Sequence, residues 1–284
     1  MFGRSRSWLK RYPRYAIISF ATGSMIMGVL FFMAAFCYQI SPYNPLELNP
    51  DRMLEPPSSD HLFGTDTLGR DVLSRTITGC RYSLSVAIIA VVGALLIGAS
   101  AGLVSGYMGG KLDRIVAMMM DSWFAFPTIV IAMLIVVFLK PTYVNTALAV
   151  MLATVPRYFR TIRSLSLTLK TRTFVEAVKS IGARDTYVMW HHILPHTIPT
   201  VIVLMTLQIP ASILSIASLG FLGIGIPPPI PEWGTDLNVA RAFLIAGHWA
   251  PSFFPGLFIF LSCLGFNLFG DGISRMIGTT VERV

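Results

Sequence analysis

The chain has 284 residues, of which 54% are hydrophobic and 13% charged, against roughly 25% charged in an average soluble domain. At about 20 apolar residues per crossing, six crossings fit with loops to spare and leave no room for a second globular domain of ordinary size, which excludes a soluble enzyme and a motor domain. The net charge of +8 and isoelectric point near 9.7 fit Lys and Arg held on the cytoplasmic side of a bilayer better than a nucleic-acid partner.

Residues 1–15 form a basic segment with Arg4, Arg6, Lys10, Arg11 and Arg14 beside Trp8, Tyr12 and Tyr15. It suits either an interfacial anchor on anionic membrane lipid or a solvated topogenic tail. The first apolar run, 16–38, is longer than the roughly 7–15 residues of a signal-peptide core, so an uncleaved anchor helix is expected. Residues 39–83 read as an extracytoplasmic loop with a short amphipathic helix carrying Asp66, Arg70 and Asp71. Further apolar runs span 84–106, 115–139, 145–162, 198–226 and 250–271.

The expected fold is therefore all-α and polytopic, with six transmembrane helices, a five-helix core over 84–272 and a tail over 273–284. An even number of crossings puts both termini on one side. Basic residues on that side number five before the first run, two in 107–114, seven in 156–197 and two after 271; the other side has four in 39–83, Lys140 and Arg241. The positive-inside rule then places both termini in the cytoplasm of a multi-pass cell-membrane protein.

Within the runs, Gly98, Gly102 and Gly106 leave one helix face bare for close helix approach, with packing inside the subunit favoured over a dimer seam. Pro127, Pro156 and Pro210 interrupt or bend three other spans. Asp121, near the cytoplasmic end of the third, is costly unless paired or hydrated and marks either a helix-end pair with a basic residue, which is favoured, or a functional position. Gln208, Ser212 and Ser215 follow i, i+4, i+7 on one stripe of the fifth, where they either bond to neighbouring helices or line an aqueous path. The proline-rich outer loop 227–248, with Glu232 and Trp233, reads as a rigid rim, its Trp at the membrane interface.

The segment 164–197 is too polar to cross and longer than a helix connection needs. Thr173-Phe174-Val175-Glu176 has capping-box form, so a short helix is expected from Thr173, with the Thr hydroxyl and Glu176 satisfying each other's backbone N–H groups. Gly182 stands where a left-handed residue would end that helix. Asp185 is placed to cap a second short helix, 186–192, which Pro195 stops. His192 and His196 are four apart, but Pro195 and the lack of a third ligand argue against metal. Cys37, Cys80 and Cys263 are scattered, which predicts neither disulfides nor zinc.

Glu176-Ala177-Val178, Gly182 and then His192-Ile193-Leu194-Pro195 resemble the EAA loop of ABC importer permeases, E-A-A, three residues, G, then a stretch ending in L-P. Three further blocks narrow this to the C-type permease subunit of dipeptide, oligopeptide and nickel importers. Residues 61–75 resemble its F-G-T-D-x-x-G-R-D segment, 219–234 its L-S-F-L-G-L-G and E-W-G region, and 267–271 its N-L-x-G-D signature. The departures are Val178 for the second Ala, His196 where Asn is usual, and Ile216 where many peptide permeases have Glu.

The resemblance implies a type I ABC importer permease in which Thr173, Glu176, Ala177, Gly182, Asp185, His192, Leu194 and Pro195 belong to a coupling loop seated in an ATP-binding subunit. It also implies a second homologous permease, two ATP-binding subunits and an extracytoplasmic solute-binding protein. No P-loop, H-E-x-x-H or G-x-S-x-G occurs in the sequence. The chain is thus expected to be non-catalytic and without its own cofactor, ATP and Mg²⁺ acting on the partner subunits. Peptides are the expected substrate, nickel or a metal chelate the alternative. A self-sufficient secondary transporter is the competing class, which would call for an intramembrane carboxylate.

Overall fold

The computed structural model describes residues 14–281; Trp8 and Tyr12 of the basic segment lie outside them. Among the described residues the protein is all-helical, with no strand and one isolated antiparallel bridge between Thr65 and Asp71. Helix α1 (Arg14–Ala35) is followed by a short turn at Cys37–Ile40 and a connection with a 3₁₀ turn at Pro50–Arg52. Then come α2 (Val72–Met108), α3 (Gly110–Phe124), α4 (Thr128–Leu139) and α5 (Tyr143–Leu169). Two short helices, α6 (Thr173–Ser180) and α7 (Asp185–Val188), lead through a π-helical turn at Met189–Ile193 into α8 (Leu194–Phe221). Helix α9 (Trp233–Ala240), a 3₁₀ turn at Arg241–Phe243 and α10 (Ala250–Val281) follow.

By length and composition α1, α2, the segment Asp185–Phe221 and α10 can each cross a membrane, and the bent pair α3–α4 is either a fifth, broken span or a re-entrant loop. The expected run 145–162 lies inside α5, whose Arg157, Arg160 and Arg163 make it too polar for the same class. The expected span 115–139 is not one helix. It breaks by 90° between α3 and α4, where Pro127 lacks a backbone N–H and forces the chain out of helical conformation. Prolines 156, 199, 210 and 255, by contrast, are carried inside helices. Helix α10 also continues past Asp271 to Val281, so the described part of the expected segment 273–284 is helical.

Small residues set the helix spacing. Helix α2 packs most extensively on α5, because Gly98, Gly102 and Gly106 put bare backbone against it. A Cβ at these positions would lie 2.6 Å from Val155 O, 2.5 Å from Phe159 O and 2.6 Å from Arg163 O. The stripe is therefore a seam within the subunit. Helix α1 meets α10 in the same way: a Cβ at Gly23 would sit 2.4 Å from the Phe269 backbone nitrogen, and Phe20 stacks on Phe269 with centroids 5.1 Å apart. Most of α1 otherwise faces outward, with only Ala16, Gly23 and Leu30 buried, seven residues apart on one seam.

Helix α2 starts at Val72, well before the expected boundary at 84, because Asp71 caps it: its carboxylate accepts from Ser74 N and Ser74 Oγ, both at 2.7 Å. No separate amphipathic helix carries Asp66, Arg70 and Asp71; all three are buried in the approach to α2. Arg70 donates to Asp66 at 2.7 Å, and Arg75, one turn into α2, donates to Asp236 of α9 and to the Pro45 carbonyl at 3.1 Å. The expected exposed rim at 227–248 is likewise turned inward at Glu232 and Trp233, both fully buried. Trp233 fills the space over Gly79 and donates Nε1 to Thr76 O at 3.0 Å. Glu232 caps α9, accepting from Gly234 N and Thr235 N at 2.9 and 2.8 Å.

Candidate functional site

The opposite end of α2, near Met108, carries the segment 173–195. It rests on its own apolar cluster, in which Leu103 and Tyr107 of α2 and Ile162 of α5 meet Val175, Val188, Met189 and Ile193. Helix α6 begins at Thr173, as its sequence leads one to expect, but its N-cap is Arg172 in extended conformation and no side chain caps it. The reciprocal Thr173–Glu176 box does not form, since Thr173 is already the first helical residue. Thr173, Glu176 and Ala177 face outward.

The end of α6 follows its sequence closely. Gly182 has φ +88°, its N–H donates to Lys179 O at 2.9 Å, and Ala183 N donates to Val178 O at 3.3 Å. This is the Schellman arrangement, which requires a left-handed residue at the position Gly182 holds. No atom lies within 4 Å of where a Gly182 Cβ would stand, and neighbouring Ile181 is 85% exposed. Helix α6 thus ends in an uncovered apolar tip.

Asp185 does not act as an N-cap. It is the first residue of α7, and its carboxylate is drawn sideways, accepting from Tyr107 OH at 2.7 Å and from Lys179 Nζ at 2.9 Å. The Lys179 ammonium also lies 5.0 Å from the Tyr107 ring centroid. The hydrogen bond to Asp185, then that to Tyr107, holds the Lys179 pKa above its ordinary value. Lys170 Nζ reaches Gly106 O and Tyr107 O at 3.2 and 3.4 Å, covering the carbonyl end of α2. Together these contacts pin α6 and α7 to α2.

Pro195 does not stop the second helix. The π-helical turn carries the chain into α8, and Pro195 sits in the first turn of α8 with helical backbone on both sides. Leu194 packs on the same apolar cluster, so the loop and the membrane-spanning α8 are one continuous rod. His192 and His196 serve that rod: His196 Nδ1 lies 2.6 Å from His192 O, and its ring stacks on Phe174 at 4.9 Å. Among the described residues no group of His, Cys, Asp or Glu could hold a metal ion.

A second feature lies midway along the helices. Phe124 of α3, Thr128 of α4, Ala153, Thr154 and Arg157 of α5 and Gln208, Ala211 and Ser215 of α8 line a cavity of about 380 Å³ including its mouth. The expected Gln208–Ser212–Ser215 stripe divides there. Gln208 and Ser215 reach the cavity, whereas Ser212 is buried outside it and its Oγ has no hydrogen-bond partner among the described residues. Ile216 is also buried in the core. The stripe misses Arg157, Thr154 and Thr128, although an arginine within the expected span 145–162 is itself a signal. Asp121 does have its basic partner, Arg160 at 2.7 Å.

Residues 94–281, which hold the glycine seam, the pinned loop and this cavity, match the family described as binding-protein-dependent transport system inner membrane component. The chain belongs to that family. It is 39% identical over 251 residues to the dipeptide transport system permease protein DppC of Alkalihalophilus pseudofirmus, covering 88% of this chain and 82% of that protein. It is similar also to glutathione transport system permease proteins GsiD, 39% identical in Pectobacterium atrosepticum (94% of this chain, 89% of that protein) and 42% in Escherichia coli (92% and 86%). The chain is thus an inner-membrane permease component of a binding-protein-dependent transport system.

Proposed function

We propose that this permease belongs to an ATP-driven ABC importer for peptides, forms half of its translocation pathway, and is coupled to an ATP-binding subunit through 173–195. The partners would be a second homologous permease, two ATP-binding subunits and an extracytoplasmic solute-binding protein. The names of the relatives, which concern dipeptide and glutathione transport, support the peptide substrate. The sixth crossing is then α5, whose Arg157, Arg160 and Arg163 bond to Gln208 of α8 and to Asp121 and Asp113 of α3. Both termini lie in the cytoplasm, as the distribution of basic residues argues.

The observation that carries the coupling role is the form of α6. Its buried side is pinned to α2 while its tip, Ala177, Ile181 and Gly182, stands uncovered. A push on that tip passes through the π-helical turn directly into α8, which lines the cavity. ATP-driven closure of the motor subunits would in this way tilt α8 and bias the pathway between two states.

Gly182→Pro tests this, since proline cannot adopt φ +88°. The variant is expected to assemble with its partners yet lose ATP-driven uptake in proteoliposomes. Normal uptake by an assembled Gly182→Pro complex contradicts the coupling role.

A further inference from the structure

The cavity between α4, α5 and α8 is bordered by one charged group and no carboxylate. Arg157 stands midway along α5, and Gln208, which it faces, stands midway along α8. Its Nη1 donates to Gln208 Oε1 at 2.9 Å. Among the described residues no carboxylate pairs with it: Asp121 is held by Arg160 at 2.7 Å and Asp113 by Arg163 at 2.6 Å, further along α5. A guanidinium has five donors in a planar fork suited to a carboxylate, and only one is used here by protein. A basic residue at mid-helix in a membrane protein is costly unless it faces water or a partner, and its default reading is functional.

The surroundings complete a polar patch. Thr154 and Ser215 turn their hydroxyl protons back to Val150 O and Ala211 O at 2.9 and 2.8 Å, leaving oxygen lone pairs toward the cavity. Phe124 closes one wall. Ile216, the position where an acid could have faced a peptide amino group, is buried in the core. The cavity therefore has one full positive charge in its lining and no carboxylate to offset it.

We propose that Arg157, oriented by Gln208, is the anion-recognition point of the translocation pathway and that it receives the carboxylate of the transported peptide. This rests on the peptide-permease reading above and adds to it which end of the substrate this subunit handles. Gln208 acts as a positioning residue, because its bond to Nη1 fixes the plane of the guanidinium and leaves the other edge of the fork toward the cavity.

The test uses the assembled transporter with Ala211→Cys, which also lines the cavity, as reporter, treated with a small anionic and a small cationic methanethiosulfonate reagent. The expected result is reaction with the anionic reagent roughly tenfold faster relative to the cationic one than for the free thiol. That is the scale for a unit charge acting across about 12 Å at an effective dielectric constant near 40, which changes the two rates about threefold each in opposite directions. In an Arg157→Gln background the preference disappears, and in Arg157→Lys it returns. The dipeptide Gly-Gly, with its free carboxylate, slows labelling of the Arg157 protein more than glycylglycinamide does.

Equal rates with both reagents in the Arg157 protein, while ATP-driven uptake persists, overturn the anion site and leave the permease reading standing. A reporter that reacts with neither reagent in any nucleotide state removes the cavity from the aqueous pathway and overturns the proposal at its base. Absence of ATP-driven peptide uptake by the unsubstituted transporter, with the anionic preference intact, would instead strike the peptide-permease reading and spare the electrostatic one.

Discussion

The two ends of α2 are built on opposite principles. Near Val72 the chain encloses its own polar groups: Asp66, Arg70, Arg75 and Glu232 are buried, and Trp233 fills the space over a glycine. Near Met108 the apolar cluster under α6 is small, and the helix it supports ends in a bare tip with Ile181 85% exposed. One end is complete within the chain and resists deformation. The other has a fixed base and an unfinished surface, the form expected of a part that transmits motion from a neighbour.

The strongest way to break this contrast is at Arg75. It bonds to Asp236 and to Pro45 O and lies 3.6 Å from Asp66, so Arg75→Ala leaves buried acids uncompensated. The expected loss is about 3–5 kcal/mol, read as a large drop in thermal stability in detergent. Burial already pushes the Asp236 and Glu232 carboxyls up. Adding Asp236→Asn to Arg75→Ala should recover part of the loss, because the amide carries no charge to bury.

Substitution of the pins at the loop end should cost less, because Asp185 is largely exposed there. Tyr107→Phe removes the bond to Asp185 and is expected to lower stability by about 1 kcal/mol. Lys179→Met removes a surface pair worth about 0.2–1 kcal/mol after solvent screening. The sign of its pH dependence follows from a raised lysine pKa. The contribution is fully present below the ordinary lysine value and is lost as pH rises through the raised one, so the stability difference between the parent protein and the Lys179→Met variant should vanish in strong alkali.

Much of the loop end is legible in the sequence. Its signals are local: Thr173 starts a helix, and Gly182 ends it with a left-handed turn that only a few residue types accept. The glycine seam is legible for the same reason, since spacing along one helix tells which face is bare. The far end is not, because its order is set over long distances. Arg75 and Asp236 are 161 residues apart, and nothing local turns Trp233 from a membrane interface into the interior.

Proline misleads in both directions. At Pro195 it starts α8 where the sequence suggests a stop, and at Pro127 it splits a span that hydropathy shows as continuous. The residue has the same missing donor in each case. What differs is the backbone around it, extended at Pro127 and helical on both sides of Pro195, and that is a property of the packed structure. Arg157 is hidden differently: in sequence it counts among the basic residues that set orientation, although it stands midway along a helix beside a cavity.

The central claim is that the uncovered tip of α6 is a motor contact. A photoreactive cross-linker at Ile181→Cys in the assembled, ATP-competent transporter measures this directly. The expected result is an adduct with the ATP-binding subunit whose yield changes between the nucleotide-free and ATP-bound states. A complex that still imports while position 181 cross-links to no ATP-binding subunit in either state would contradict it.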